Sequence, residues 1–265
     1  MFNEAICGPG MLFVRSRIAL ASKDVLNESV FVKWYDEEHI PEVVSAGSIK
    51  SGFRYQDIDK TSPTGDAQNH KPYLVCYPMH DLAFTQSNEF KAINIKSPFL
   101  PGSGIIYDLA DMDVSYLGFL GATPRKNSTG DGSAKYIITF GIKPENDPGR
   151  DEVMTFYSQQ TRDLSNTSHY IRTLYFKLLY ARTNAQSRAL KGLPTTDEPY
   201  PDPPKWVTIH EFSELPEGRV RESLISISNK ELSRAEEIGG WGPIESEVHT
   251  WRLCRTHGNG KFFDD

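Results

Sequence analysis

The stretch FVKWYDEEHIPEVVSAGSIKSGFRYQ, residues 31–56, decides the fold. Its first part predicts an amphipathic helix over residues 28–46. Tyr35 and His39 lie four positions apart on that helix and therefore share one face. A turn of small residues then leads into residues 48–58, SIKSGFRYQDI, whose content predicts a β-strand. The stretch therefore predicts a helix–turn–strand unit that carries a titratable ring.

A proline interrupts this helix beside the histidine. Pro41 has no backbone N–H to donate to the carbonyl of Glu37, and its ring disfavours helical geometry at Ile40. We therefore expect the helix to kink or restart next to His39. A titratable ring, an aromatic pair that begins at Trp34 and a broken helix in one place indicate the wall of a pocket.

The chain repeats one order of elements, strand, helix, strand, strand, helix, strand. In the first half, the predicted strands are 11–18, 48–58, 72–79 and 112–120, and the predicted helices are 28–46 and 81–94. In the second half, the predicted strands are 135–142, 170–182, 205–212 and 245–256, and the predicted helices are 151–166 and 219–239. Residues 183–204 are expected to form a loop rich in proline, glycine and acids.

Sequence correspondence between the halves supports a duplication. A shift of 122 residues places SIKSGF (48–53) on YIRTLY (170–175), and a shift of 133 places PYLVCYPMHDL on KWVTIHEFSEL. A period this long indicates a duplicated domain rather than a solenoid. The order of elements is that of a ferredoxin-like sheet with both helices on one face, and two such sheets in one chain could cover each other's open face.

The opening stretch also resembles a known superfamily. FVKWYDEEHIPEVV followed by SAGSIKSGFRYQ is similar to the EthD-like members of the dimeric α/β-barrel superfamily, which carry a W-x-x-x-H-type helix, a small-residue turn and a strand with arginine and aromatic residues. The resemblance is clear over residues 11–120 and weaker over 135–257. Its members are single modules that dimerise, whereas this chain resembles a tandem fusion of the kind found in fungal secondary metabolism.

The resemblance completes the expected architecture. It implies an α+β fold in which two tandem ferredoxin-like (βαββαβ) modules pack their antiparallel sheets into one α/β barrel. The expected boundaries are a first module over 1–121, a linker over 122–134, a degenerate second module over 135–258 and a tail over 259–265. It also implies activities such as polyketide cyclisation, decarboxylation and cofactor-free oxygenation, and in other branches haem chemistry, for which His39 is the one plausible axial ligand.

His39 is the leading catalytic candidate. With an ordinary pKa near 6.5, a histidine in the pocket that the superfamily places between sheet and helices could take or give a proton at neutral pH. The alternative is a histidine that only caps the broken turn by binding a freed carbonyl. The repeat places Thr161 at the matching position, so a single working pocket would belong to the first half.

Further candidates lie on the same helix and on the strands. Tyr35 could bind a substrate oxygen and Trp34 could contact substrate, although their counterparts Phe156 and Tyr157 favour a shared packing role. Four strand residues could bind substrate, although pairing between sheets or exposure at the surface would explain them equally well: Arg15, Tyr73, Tyr77 and His80.

Composition excludes several classes of function. The net charge of −6 and the pI of about 5.7 argue against a nucleic-acid partner, and no apolar run is long enough for a membrane span. No metal-ligand spacing, serine elbow or nucleotide-binding glycine motif occurs in the sequence. The three cysteines show no CxxC spacing, and no signal peptide is apparent, so we expect a cytoplasmic protein with reduced thiols.

The resemblance to tandem EthD-like proteins implies a cofactor-independent enzyme, and the composition is consistent with one. Its substrate would be a hydrophobic, oxygenated small molecule, such as a polyketide- or terpenoid-like intermediate, and its chemistry general acid–base cyclisation, isomerisation or decarboxylation. His39 would act as base or acid, and Tyr35, Tyr73 or Tyr77 would bind the developing oxyanion. A pericyclase-like cavity and a non-catalytic binding or accessory protein are the alternatives. Because the tandem modules could pair with each other, the chain could function as a monomer; a homodimer is the alternative.

Overall fold

A computed structural model describes residues 5–126, 134–237 and 240–263 of the chain. The strands are β1 (Gly10–Ile18), β2 (Ser51–Asp57), β3 (Tyr73–Met79), β4 (Ala110–Ala122), β5 (Tyr136–Pro144), β6 (Tyr170–Arg182), β7 (Trp206–Phe212) and β8 (Ile244–Gly258). The helices are α1 (Glu28–Lys33), α2 (Ile40–Ser45), α3 (Asn88–Ala92), α4 (Arg150–Leu164), α5 (Asn184–Leu190) and α6 (Gly218–Glu237). Among the described residues, none of these helices is both long enough and apolar enough to cross a membrane.

The proline in the first helix is accommodated by a π-helix. Asn27 caps α1 by accepting a hydrogen bond from the backbone of Val30 at 2.9 Å. A π-helix over Trp34–His39 joins α1 to α2, and the N–H of Ile40 donates to the carbonyl of Tyr35, five residues back. The predicted change of helix beside His39 is therefore confirmed. The expectation for Ile40 was wrong, because Ile40 keeps right-handed helical dihedrals (φ −65°, ψ −44°).

The first half contains a four-stranded antiparallel sheet in the order β4-β1-β3-β2. One row of cross-strand neighbours runs through Tyr116, Leu12 and Tyr77, and all three belong to the buried core that includes Phe31 and Tyr35 of the helical segment. Because side chains alternate between the two faces of a strand, every second residue of β1 and β3 faces these helices.

The second half repeats this order. Its strands run β8-β5-β7-β6, again antiparallel throughout. The buried aromatic residues Phe140, Tyr157 and Trp206 pack together, and so do Tyr170 and Phe212. The prediction of an α+β chain with antiparallel sheets and helices is therefore confirmed, whereas the packing of the two sheets into one barrel stays a prediction.

The chain divides into two compact units that follow contacts rather than the order of residues. The first unit comprises residues 1–118, 179–202 and 253–265, and the second comprises 119–178 and 203–252. The predicted module boundaries at 121 and 135 therefore stay predictions about the repeat. Residues 127–133 of the predicted linker, residues 238–239 at the end of the last predicted helix and residues 264–265 of the predicted tail lie outside the described residues.

Two segments differ from the expectation. The predicted helix over 81–94 is divided into a 3₁₀-helix, Leu82–Gln86, and α3, because Ser87 starts a new helix by accepting from the backbone of Phe90. The expected loop after β6 contains α5, which Thr183 and Gln186 begin with a capping box. This segment belongs to the first unit and contributes to the cavity described below.

A buried ion pair ties the helical segment to the sheet. Arg54 donates to both carboxylate oxygens of Asp36 at 2.7 Å, and a ring nitrogen of His257 lies 3.4 Å from the same carboxylate. Burial alone would raise the pKa of Asp36, but its hydrogen bonds with His257 and Arg54, and their charges, outweigh burial and lower that pKa to about 2. The carboxylate therefore stays charged at neutral pH and is compensated inside the core.

Removing one partner of this pair should destabilise the protein strongly. Asp36→Ala leaves the guanidinium of Arg54 buried without its carboxylate, which typically costs about 3–5 kcal/mol of unfolding free energy. The double variant Asp36→Leu/Arg54→Met should lose less than the single variant, because no charge is left buried. Urea denaturation of the three proteins measures the differences. A loss below about 1 kcal/mol in Asp36→Ala, the range of an exposed ion pair, would contradict this account.

Candidate active site

A cavity of about 90 Å³ lies in the first unit and carries His39 in its wall. It is mostly apolar, with a lining that includes Leu12, Val14, Val43, Ile93, Met112 and Val114. Eight residues of this wall have polar or charged side chains, and four of them matter below: His39, Tyr77, Arg182 and Lys191. An apolar cavity with few polar groups is the usual form of a small-molecule site.

His39 is held by aromatic packing and is neutral at physiological pH. Its ring stacks on Trp34, with centroids 4.5 Å apart and an angle of 14° between the planes. Burial and, to a smaller extent, the charge of Lys191 lower the pKa of His39 to about 4, although a hydrogen bond with the backbone of Asn94 opposes the shift. Nδ1 of His39 is buried and has no hydrogen-bond partner among the described residues. The ring can therefore accept a proton or a hydrogen bond.

Tyr77 brings a hydroxyl group to the same wall. It lies on β3 opposite Leu12 of β1, and its hydroxyl is buried with no hydrogen-bond partner among the residues that the structure describes. Burial raises the pKa of Tyr77 well above its ordinary value. Gly52 leaves room for this arrangement, because a Cβ atom there would come within 2.6 Å of Ile40 and 3.1 Å of the Tyr77 ring. Tyr77 is therefore a protonated hydrogen-bond donor.

Two cationic residues at this wall were missed in the sequence. Arg182 ends β6, and Lys191 follows α5, in a segment that was expected to be a loop. Both residues reach the cavity because residues 179–202 belong to the first unit. The position of Arg182 at the end of a strand rich in aromatic residues is only a weak sequence signal for a site residue. No local pattern connects it with His39, which lies more than a hundred residues earlier.

Three other predicted residues, Trp34, Tyr35 and Tyr73, do not belong to the wall of the cavity. The hydroxyl of Tyr35 donates to the side chain of Ser16 at 2.9 Å, and burial raises the pKa of Tyr35 above its usual range. Trp34 is buried against the far side of the His39 ring. Tyr73 packs edge-to-face on Phe31, with centroids 5.3 Å apart. The structure thus places these aromatic side chains in the core that supports His39.

The remaining predicted residues lie elsewhere in the first unit. His80 is exposed at the end of β3. Arg15 donates to the side chain of Asn69 at 3.0 Å and is not part of the cavity lining. Of the seven residues predicted as catalytic or substrate-binding, the structure therefore brings His39 and Tyr77 together at one cavity.

The matching positions of the second unit are occupied differently. Thr161, the counterpart of His39, lies within hydrogen-bond distance of the hydroxyl of Tyr175 at 3.1 Å. His210, the counterpart of Tyr77, has its two ring nitrogens 2.8 Å and 3.1 Å from the hydroxyls of Thr173 and Thr208. Burial lowers the pKa of His210 to about 3. At these two positions, the second unit therefore has side chains within hydrogen-bond distance of hydroxyl groups, whereas the first unit has a cavity.

The cavity does not fit a haem. Its volume of about 90 Å³ is below the ~150 Å³ of an apolar cavity that takes up benzene, and a porphyrin is several times larger than benzene. Among the residues that the structure describes, no three His, Cys, Asp or Glu side chains converge as metal ligands. The polar groups at the cavity are suited to direct contact with an organic ligand.

A wider and more polar cleft of about 700 Å³ adjoins the cavity. Tyr107 and Met112 belong to the walls of both, so these residues lie where the cavity and the cleft meet. The cleft carries the ion pairs of Arg17 with Asp111 and of Lys71 with Asp113. Its size falls within the range of small-molecule sites.

Comparison with known proteins identifies the fold. No family model matches this chain, and no curated protein matches its sequence. Its structure is similar to that of an anthrone oxidase-like protein, with 12% identity over 95% of this chain and 94% of the other, at a TM-score of 0.55. It is also similar to a protein assigned as a monooxygenase from Fusobacterium nucleatum, with 10% identity over 96% and 97% of the two chains, at a TM-score of 0.50. At these identities the likeness shows the fold alone.

The low pKa of His39 predicts a pH-dependent stability. The unfolded chain binds a proton at His39 near pH 6.5, and the folded chain binds one only near pH 4. Between these values the unfolded state holds more protons, so the unfolding free energy should fall as the pH is lowered from 6.5 to 4. In His39→Gln this decrease should be smaller, with His210 supplying part of the remainder.

Urea denaturation across this pH range measures the difference between wild type and variant. His80→Gln, the same substitution at an exposed position, is the control and should keep the wild-type pH dependence. Equal pH dependence in wild type and His39→Gln would contradict the assignment of a buried, neutral His39.

Proposed function

We propose that this chain is a cofactor-independent enzyme that acts on a hydrophobic, oxygenated small molecule by proton transfer. His39 is the general base, and Tyr77 donates a hydrogen bond to the oxygen that becomes negative in the transition state. The role of general base follows from the pKa of about 4, which leaves His39 uncharged at neutral pH. The reaction is a cyclisation, isomerisation or decarboxylation through an enol or enolate.

One observation carries this proposal. Nδ1 of His39 and the hydroxyl of Tyr77 are both buried without a partner among the described residues, and both residues belong to the wall of one apolar cavity. A buried polar group without a partner costs free energy, so a natural protein usually retains it for a ligand, a water molecule or a reaction. An acceptor and a donor at one cavity are the two groups needed to form and stabilise an enolate.

The size of the cavity restricts what enters it. A space of about 90 Å³ holds the reacting end of a polyketide- or terpenoid-like molecule rather than the whole of it. The adjoining cleft of about 700 Å³ would hold the remainder after a movement of Tyr107 or Met112. Substrate binding would then involve a rearrangement of these two side chains.

The similar structures favour one further candidate reaction. One is named for an anthrone oxidase and the other for a monooxygenase, and both names denote oxidation of small organic molecules. In this variant, His39 removes a proton from carbon, and the resulting enolate is oxidised by molecular oxygen. Oxygen consumption that matches product formation would distinguish this reaction from the three above, which consume none.

We further propose that the two halves are tandem ferredoxin-like modules of the EthD-like type. The identical strand order of the two sheets, together with the sequence shifts of 122 and 133 residues, supports this proposal. The chain would be a cytoplasmic protein of a biosynthetic pathway that functions without nucleic acid or membrane and does not require a second copy.

Substitution of the two polar groups tests the proposed chemistry. His39→Ala should lower turnover of the accepted intermediate by ~10²-fold or more, the usual contribution of a general base. Tyr77→Phe should lower turnover by ~10²–10³-fold, because it removes the donor to the oxyanion. Product formation from a panel of polyketide- and terpenoid-like intermediates, measured by mass spectrometry, provides the assay.

Tyr157→Phe is the matched control, because it removes a buried hydroxyl that lacks a partner in the second unit. It should keep wild-type turnover. A His39→Gln variant with wild-type turnover would favour a pericyclase-like cavity, in which shape replaces proton transfer. Binding of the intermediates without any product would favour a carrier or accessory protein.

A further inference from the structure

The guanidinium of Arg182 is buried in the wall of the His39 cavity without a compensating carboxylate. Arg182 is 7% exposed, its Nη1 donates to the hydroxyl of Ser187 at 3.2 Å, and its Cζ lies 5.8 Å from the centre of the Tyr116 ring. Its Nε is buried and has no hydrogen-bond partner, and no salt bridge joins Arg182 to an acidic residue in the part of the chain that the structure describes. A buried charge is expensive unless it is paired.

A second positive charge lies at the same wall. Lys191 donates from Nζ to the carbonyls of Lys91 and Ile93 at 2.6 Å and 2.5 Å. Burial lowers the pKa of Lys191, and the charge of Arg182 lowers it further, so the two cations are close enough to repel each other. Two backbone carbonyls hold the ammonium in place without neutralising it.

The other ionisable groups at this cavity do not cancel the positive charge. His39 and Tyr77 are uncharged at neutral pH, as described above. The hydroxyl of Tyr107 lies beside Arg182, and burial raises the pKa of Tyr107, so this residue is also uncharged. Glu42 interacts with Lys191 from an exposed position and accepts a hydrogen bond from the backbone of Asn94 at 2.9 Å. The cavity therefore carries a net positive charge inside a mostly apolar wall.

We propose that the ligand of this cavity is a hydrophobic carboxylic acid, bound as its carboxylate by Arg182 with support from Lys191. The planar guanidinium matches a carboxylate in shape and charge, and Tyr77 provides a further neutral donor. Arg182 is thus the residue that selects an anionic ligand over a neutral one of the same shape. This inference uses the same cavity as the proposed function, but it does not depend on His39 acting as a base.

The arrangement also predicts how the ligand is oriented. The carboxylate lies towards Arg182 and Lys191, and the apolar body packs against Val14, Val43 and Val114. The rim of the cavity includes Leu190, which is 49% exposed and offers apolar surface to any part of the ligand that extends outwards. Because the cavity is smaller than one that takes up benzene, the ring of a small aromatic acid would extend outwards along Leu190 while its carboxylate reaches Arg182. Such an acid is therefore a suitable probe.

Benzoate and benzamide form a matched pair for this test, because they share shape and differ by one charge. Isothermal titration calorimetry should show that wild type binds benzoate at least about tenfold more tightly than benzamide, a difference of ~1.4 kcal/mol. Arg182→Gln should bring the two affinities to within about twofold of each other. Arg255→Gln removes the same charge from an exposed position on β8 and should keep the preference for benzoate.

Two results would overturn the proposal: an equal affinity of wild type for the two probes, including no binding of either, or a preference that survives in Arg182→Gln. If circular dichroism shows that Arg182→Gln is unfolded, Lys191→Gln takes its place and must also reduce the preference. His39→Ala should keep the preference for benzoate. A loss of turnover in His39→Ala would then reflect proton transfer alone. Wild-type turnover in His39→Ala would show that His39 is not the general base, and the carboxylate site at Arg182 would still stand.

Discussion

Pro41 has no backbone N–H, and this missing donor determines the shape of the helical segment that carries His39. A regular α-helix would need an N–H at this position to bond the carbonyl of Glu37. The chain instead widens into a π-helix, in which Ile40 bonds the carbonyl of Tyr35. The widened turn ends at His39, whose ring packs flat against Trp34.

The same turn buries three consecutive residues, Trp34, Tyr35 and Asp36. Successive residues of a helix point in different directions around its axis, so three buried residues in a row cannot all face one neighbour. Such a segment must be enclosed on several sides, and it is: Tyr35 bonds Ser16 of β1, and Asp36 pairs with Arg54 of β2. These contacts fix the turn against the sheet, which in turn fixes the imidazole at the cavity. The position of His39 thus depends on the packing of its neighbours against the sheet.

The chemistry of the cavity depends on a selective lack of internal partners. Elsewhere in the first unit, buried charges are compensated, as in the pair of Arg54 with Asp36. At the cavity, an imidazole nitrogen, a phenol and a guanidinium nitrogen are all buried without partners among the described residues. The second unit has the same strand order, yet His210 is bonded to threonine hydroxyls on both sides. In the proposed function, the groups left unpaired at the cavity of the first unit bind a ligand.

The sequence by itself determined the α+β class of fold, the order of the eight strands and the break beside His39. These features follow from local periodicity, from the backbone donor that a proline lacks and from the correspondence between the two halves of the sequence. Each can be recognised without knowledge of contacts between distant residues. The tertiary structure alone decided which side chains share the cavity. Tyr35 and Tyr77 both looked suitable, but Ser16 occupies the hydroxyl of Tyr35 and none of the described residues occupies that of Tyr77. Arg182 joins the site only because residues 179–202 return to the first unit, a long-range contact that leaves no periodic pattern in the sequence.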